Sequence, residues 1–332
     1  MRVTKVGRWL WRSMADHLLV IAIVLAIALV TLAALPSATQ ASGDERLLVA
    51  DLRGHTLVIL DPARPDAARR IALPGGPHEL LRLPDGRVAV SLEQSGVIAF
   101  VDLDTGGVEA LTTGGLPHGL AVQRTREGDR LLVTDRDRDA VRRFVIGGAP
   151  STWREVEAIP TSGWPHAVVV RADGAVAVAR ASAAMLSLDG RDVPVSVLPE
   201  TVALSPDGAR IATAGATGGA VHVVGWDGSF DVEAQVGGRP VRTVFSPDGS
   251  LVAAALSASS SVALVDRAGG VRTVAVAGTP DGLAFSSDGA RLYAADMAGG
   301  RVTVIEVATG RALAVMPVGR SAGSLMVLAP AR

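Results

Sequence analysis

Three of the chain's six histidines stand in one local setting: Gly76-Pro77-His78, Leu116-Pro117-His118 and Trp164-Pro165-His166. The same phase continues with Glu200 after Pro199, Val241 after Pro240 and Asp281 after Pro280, and ends at Ala322. Imidazoles and carboxylates at equivalent positions could hold Zn²⁺ or Cu, with His78, His118 and His166 as the metal ligands. They could equally act as acid–base groups around a small ligand. The arc leaves the cofactor open: a divalent metal could serve, and nothing in the pattern requires one. A second set of loops adds Asp51, His55, Glu93, Asp135, Arg136, Asp137, Arg138, Arg180 and Asp296. The plainer alternative is a turn residue copied by duplication. Alternating charge over Asp135–Asp139 is also the pattern of a solvated loop with local ion pairs.

Positioning such an arc takes a repeated element, and the chain supplies one. Gly278–Gly319 reads as four short strands. Leu283-Ala284-Phe285 precedes a Ser287-Asp288-Gly289 turn, Arg291–Ala295 follows it, and Arg301–Val307 and Ala312–Val318 alternate apolar and polar residues around Thr309-Gly310. Strands of this length between Gly/Asp turns form an antiparallel meander. From Gly75 to Gly278 the chain holds five more such units of about 40 residues, the period of propeller blades. Their first turns recur as Pro84-Asp85-Gly86, Ala172-Asp173-Gly174, Pro206-Asp207-Gly208 and Pro247-Asp248-Gly249, while one unit carries Glu127-Gly128-Asp129 in a longer loop. In these turns Pro fixes φ, Asp bonds back to the backbone and Gly takes positive φ. Residues 47–74 hold only three strands, and Gly323–Leu328 is a lone first strand. Joined, they make a seventh blade that closes a ring and removes its free edges. The expectation is an all-β, seven-bladed β-propeller of four-stranded antiparallel blades over 42–332. In it the proline–histidine loops and the second-to-third-strand loops share one face.

The blade pattern, written on Gly278-Thr279-Pro280-Asp281-Gly282 through Leu292-Tyr293-Ala294-Ala295-Asp296 and Val302–Glu306, resembles the YVTN-type propeller repeat of exported bacterial and archaeal proteins. The resemblance covers about residues 47–328 and weakens in blades 4 and 5. This chain has Asp51, Asp135 and Asp296 where the family places Asn, and keeps the family tyrosine only as Tyr293. The resemblance implies a seven-bladed fold and a binding or surface role. It names no single reaction, since related propellers include metal-dependent lyases, lactonases, haem and copper proteins, and scaffolds.

Composition excludes several classes. Net charge is −1, and outside the N-terminus there is no basic run, so a nucleic-acid partner is not expected. Aromatics make up only 3%, too few for stacking platforms. Cysteine is absent, which removes disulfides, thiolate metal sites and a cysteine nucleophile. Residues 1–41 read as a targeting segment: Leu18–Leu35 is apolar throughout, follows Arg2, Lys5, Arg8 and Arg12, and precedes Thr39-Gln40-Ala41. That fits an uncleaved signal anchor, with a cleaved signal peptide as the alternative. Charge on either side places the propeller outside the cytoplasm, periplasmic or at the cell surface, and gives it the membrane as a partner through this segment. Gly319-Arg320-Ser321-Ala322-Gly323 matches the G-x-S-x-G pattern, but a closing strand follows where a nucleophile elbow needs a helix. Trp153 and Trp164 are read as loop packing, with exposed recognition as the alternative.

The functional expectation is a binding or scaffold propeller whose histidine face meets an unidentified protein or small molecule. The enzymatic alternative is a metal-dependent lyase or lactonase using His78, His118, His166 and Glu200. An electron-transfer propeller lacks support, there being no CxxCH. The discriminator is geometric, since one zinc ion requires imidazole nitrogens about 2.0–2.1 Å from a common point.

Overall fold

The middle strands of each repeat are runs of small and branched apolar residues, such as Leu47–Ala50, Val88–Leu92 and Leu251–Leu256. Runs without alternation suit strands covered on both faces, and that is how the computed structural model, which describes residues 45–329, disposes them. Twenty-eight strands, β1 to β28 in chain order, form seven four-stranded antiparallel sheets. The innermost strands, in blades 2 to 7, are β4 (Leu80–Arg82), β8 (Pro117–Gln123), β12 (Pro165–Val170), β16 (Pro199–Leu204), β20 (Pro240–Phe245) and β24 (Pro280–Phe285). The remaining sheet, blade 1, has the order β28-β1-β2-β3, with β28 (Ala322–Leu328) innermost, then β1 (Arg46–Asp51), β2 (Thr56–Asp61) and β3 (Arg64–Ala72). It draws on both ends of the chain, pairing Arg46 with Leu328 and Leu48 with Met326. The fold is an all-β, seven-bladed propeller.

The core lies between blades rather than at one centre. One apolar cluster joins Leu47, Val49, Val58 and Leu60 of blade 1 to Tyr293, Val302 and Val304 of blade 7, and each further pair of blades repeats this arrangement. Outer strands face solvent, as in β3, where most residues are exposed. In the Asp-Gly turns the aspartate accepts from the amide two residues on, as Asp288 does from Ala290 at 2.9 Å, and in blades 5, 6 and 7 a serine donates to it as well, as Ser286 Oγ does to Asp288 at 2.6 Å. Gly289 takes the φ of +72° that ends the turn.

Two readings fall outside or beside this frame. The targeting segment 1–41 lies outside the described residues. Among the described residues no helix is long and apolar enough to cross a membrane.

Candidate ligand site at the channel mouth

Each inner strand enters from one face of the ring and runs toward the Asp-Gly turns on the other. The proline that opens the strand fixes the loop, so the residue after it is set at the channel mouth. Consecutive blades therefore bring His78, His118 and His166 side by side. Their ring centroids are 4.3 Å apart for the first pair and 3.8 Å for the second, with interplanar angles of 52° and 51°. They form a row.

Two rings of the row have a fixed tautomer. His118 Nδ1 lies 2.8 Å from the carbonyl oxygen of His166, and His166 Nδ1 lies 2.6 Å from that of Glu200. A carbonyl can only accept, so each Nδ1 carries the proton and each Nε2 carries the lone pair. Burial, reinforced by the His78 and His166 rings, holds the His118 pKa well below the usual imidazole range. Burial and nearby Arg136 hold that of His166 down to about 4. His78 differs: burial would lower its pKa, but the carboxylates of Glu79, Asp281 and Glu93 outweigh burial and raise it. Its Nδ1 is buried, lies 3.5 Å from Glu79 Oε1 and makes no hydrogen bond.

Below the row the channel is crossed by an ion pair. Arg242 of blade 6 donates to both oxygens of Glu79 of blade 2, at 2.7 and 2.9 Å, across a sequence separation of 163. Ser324 Oγ adds a contact to Glu79 at 3.3 Å, and Asp281 approaches Arg242 at 3.8 Å. Burial would raise the Glu79 pKa, but Arg242 and His78 hold it well below the ordinary carboxylate range. Above this pair a cavity of about 250 Å³ is lined by the three histidines, Glu200 and Asp281, with Arg136 and Arg239 among its walls. Burial raises the Glu200 pKa, and Arg239, 3.3 Å away, opposes the shift.

The structure thus brings His78, His118, His166, Glu200 and Asp281 together. Asp51, Asp135 and Asp296 do not join them. They are 3%, 0% and 1% exposed, and each turns back to the loop that enters its own blade. Asp51 accepts from the amides of Arg320 and Ser321, Asp135 from Leu116, and Asp296 from Thr279. A glycine precedes each of these loops because a Cβ at Gly319, Gly115 or Gly278 would lie 2.0–2.4 Å from the aspartate. Their place is structural. Asp135 also meets Arg138 and Arg142, at 3.0 and 3.2 Å, and Arg136 pairs with buried Glu93. The alternating charges are therefore woven into neighbouring loops. Arg180 faces a separate groove of about 390 Å³ between blades 3 and 4. His55 and Asp137 are exposed and away from the cavity.

Ser321 of the G-x-S-x-G match is fully buried and donates to the Met297 carbonyl at 2.8 Å, and strand β28 follows it. Trp153 is buried against Phe100, ring centroids 4.4 Å apart. Trp164 is 52% exposed, with a φ of +58° and its amide bonded to Asp139. The sequence reading missed Glu79 and Arg242. Their signal is one charge of each sign near the start of an inner strand.

A seven-bladed propeller with a polar cavity at one channel mouth is the class that fold and site define. No protein-family model matches the chain, and no curated protein matches it. Solved structures do. A functionally unknown protein from Desulfotomaculum acetoxidans superposes with a TM-score of 0.71 at 11% identity, over 86% of this chain and 99% of that one. The Kuenenia stuttgartiensis hydrazine synthase matches with a TM-score of 0.64 at 20% identity, over 75% and 88%. Virginiamycin B lyase from Staphylococcus aureus matches with a TM-score of 0.62 at 13% identity, over 73% and 84%. At such identities the likeness speaks for the fold alone.

Proposed function

We propose that this chain is an exported, membrane-anchored propeller of the YVTN type that binds a small polar ligand at the histidine end of its channel. One observation carries the reading: three imidazoles stack along a cavity of about 250 Å³, and two of them are locked with Nε2 as the acceptor nitrogen. A turn residue copied without a role has no need of a fixed tautomer beside a cavity. Arg242, held by its buried pair with Glu79, forms part of the cavity wall. Export rests on the basic, then apolar, N-terminal segment.

A second reading, a lyase or lactonase, is favoured by the contrast between His78, whose pKa is raised, and neutral His118 beside it. Titratable groups pushed apart in one site are the usual mark of an acid–base pair. The two readings part on turnover of whatever ligand is found.

The test is thermal unfolding of the full-length protein against a panel of small carboxylic acids, amines, lactones and polyols, alongside His166→Ala. A ligand of the cavity raises the wild-type midpoint by mass action and leaves the variant's unmoved. Hits that shift both proteins equally would place binding elsewhere and sink the proposal.

A further inference from the structure

An arc of three histidines invites a single ion held by all three. Such an ion would need a nitrogen of each ring about 2.0–2.1 Å from one point, and the ring centroids follow one another at 4.3 and 3.8 Å. Among the described residues, the three donors whose ligand atoms lie within 4.8 Å of one another are His78, Glu79 and His118. His166 stands outside that set.

We propose that a divalent transition-metal ion of borderline softness binds between His78, Glu79 and His118, two of which line the cavity. The inference rests on the cavity being the ligand site, and it gives that site its anchor.

Four observations point there. The buried Nδ1 of His78 has no hydrogen-bond partner, and a polar atom left so is costly unless something meets it. His118 donates Nδ1–H to a backbone carbonyl, which is how proteins orient an imidazole whose Nε2 ligates a metal. Glu79 Oε1 accepts one bond from Arg242 and keeps its second lone pair. Finally, the carboxylates of Glu79 and Asp281 face the single guanidinium of Arg242, while Glu200 is offset by Arg239 and Glu93 by Arg136. Two carboxylates thus face one guanidinium beside the His78 ring.

Two imidazole nitrogens and one carboxylate oxygen suit Zn²⁺ or Cu²⁺ better than Mg²⁺ or Ca²⁺. Ligand distances of about 2.0–2.1 Å require the three donors to draw together on binding. Three protein donors leave a coordination position open for water or for a donor atom of the cavity's ligand.

The experiment is calorimetric titration of the full-length protein with zinc chloride and with copper(II) sulfate, together with metal content after dialysis. The expected result is one equivalent bound, with affinity falling at least about tenfold in His78→Ala and His118→Ala and by less than threefold in His166→Ala. Glu79→Gln leaves Arg242 only the more distant Asp281 and can unfold the chain, so Glu79→Asp, which keeps the charge, is the second variant and must also bind more weakly. Circular dichroism of each variant separates lost folding from lost ligation. No binding of either ion by the wild type, or a loss in His166→Ala equal to that in His118→Ala, overturns the assignment. Wild-type protein that binds no ion yet keeps His166-dependent stabilisation by a small molecule overturns the ion alone. Loss of both overturns the cavity reading as well.

Discussion

Replacing Asp51 separates a structural aspartate from a ligand-binding one. Its Oδ1 accepts from the amides of Gly54, Arg320 and Ser321 at 3.1, 3.0 and 2.9 Å, so one oxygen ties the end of β1 to the loop that enters β28. The residue is 3% exposed, and Ser321 is fully buried. Asp51→Ala strands three donors. An unsatisfied buried donor costs about 1–3 kcal/mol, and the two nearer the surface recover part of theirs from water. The expected loss is about 3–5 kcal/mol in urea-induced unfolding, with hydrogen exchange accelerated first in β28. Asp51→Asn retains an acceptor oxygen and loses only the charge assistance, for about 1–2 kcal/mol. Affinity for any ligand of the cavity should stay unchanged in both variants, because Asp51 does not line it. A loss under about 0.5 kcal/mol in Asp51→Ala, the range of a surface substitution, would refute the reasoning. So would a changed ligand affinity in a variant that remains folded.

Gly278→Ala should cost about 2–4 kcal/mol in the same assay, since its φ is +75° and the new Cβ would lie 2.0 Å from Asp296. Glu79→Gln should destabilise by about 3 kcal/mol by leaving buried Arg242 only the more distant carboxylate of Asp281, 3.8 Å away. The double variant Glu79→Leu/Arg242→Leu should lose less than the sum of its single changes. Tyr293 donates to Glu45 at 2.9 Å, and burial, with the Glu45 carboxylate, raises its pKa above the usual value of 10. Above pH 10 the unfolded chain therefore loses a proton that the folded chain keeps, and stability falls with a slope of up to about 1.4 kcal/mol per pH unit. The chain has one tyrosine, so tyrosinate absorbance reports this group alone. Tyr293→Phe should flatten the slope, and ionisation near 10 in the folded protein would contradict the assignment.

The blades were legible because the repeat carries its own turn chemistry. Ser286-Ser287-Asp288-Gly289 reads as the same hairpin in the sequence and in the fold, and the phase of Pro77, Pro117 and Pro165 placed three histidines at one mouth. What the sequence cannot carry is direction. Asp51, Asp135 and Asp296 sit at the loop positions expected, yet each side chain turns inward to its own blade's entry loop. The glycines at 319, 115 and 278 were the available signal, since a residue without a Cβ marks where another group closes in. Glu79 and Arg242 were illegible for another reason. Glu79 stands just before β4 and Arg242 within β20, in different blades, and only the ring arrangement puts blade 2 opposite blade 6.

The ligand site depends most directly on His118 and His166 holding their protons on Nδ1. Nitrogen-15 NMR of the histidine-labelled full-length protein at neutral pH reads each ring's protonation and tautomer. The prediction is that His118 and His166 are neutral and protonated at Nδ1, with both Nε2 signals moving when a cavity ligand is added. Rings protonated at Nε2, or signals that stay fixed while ligand binds, would contradict it.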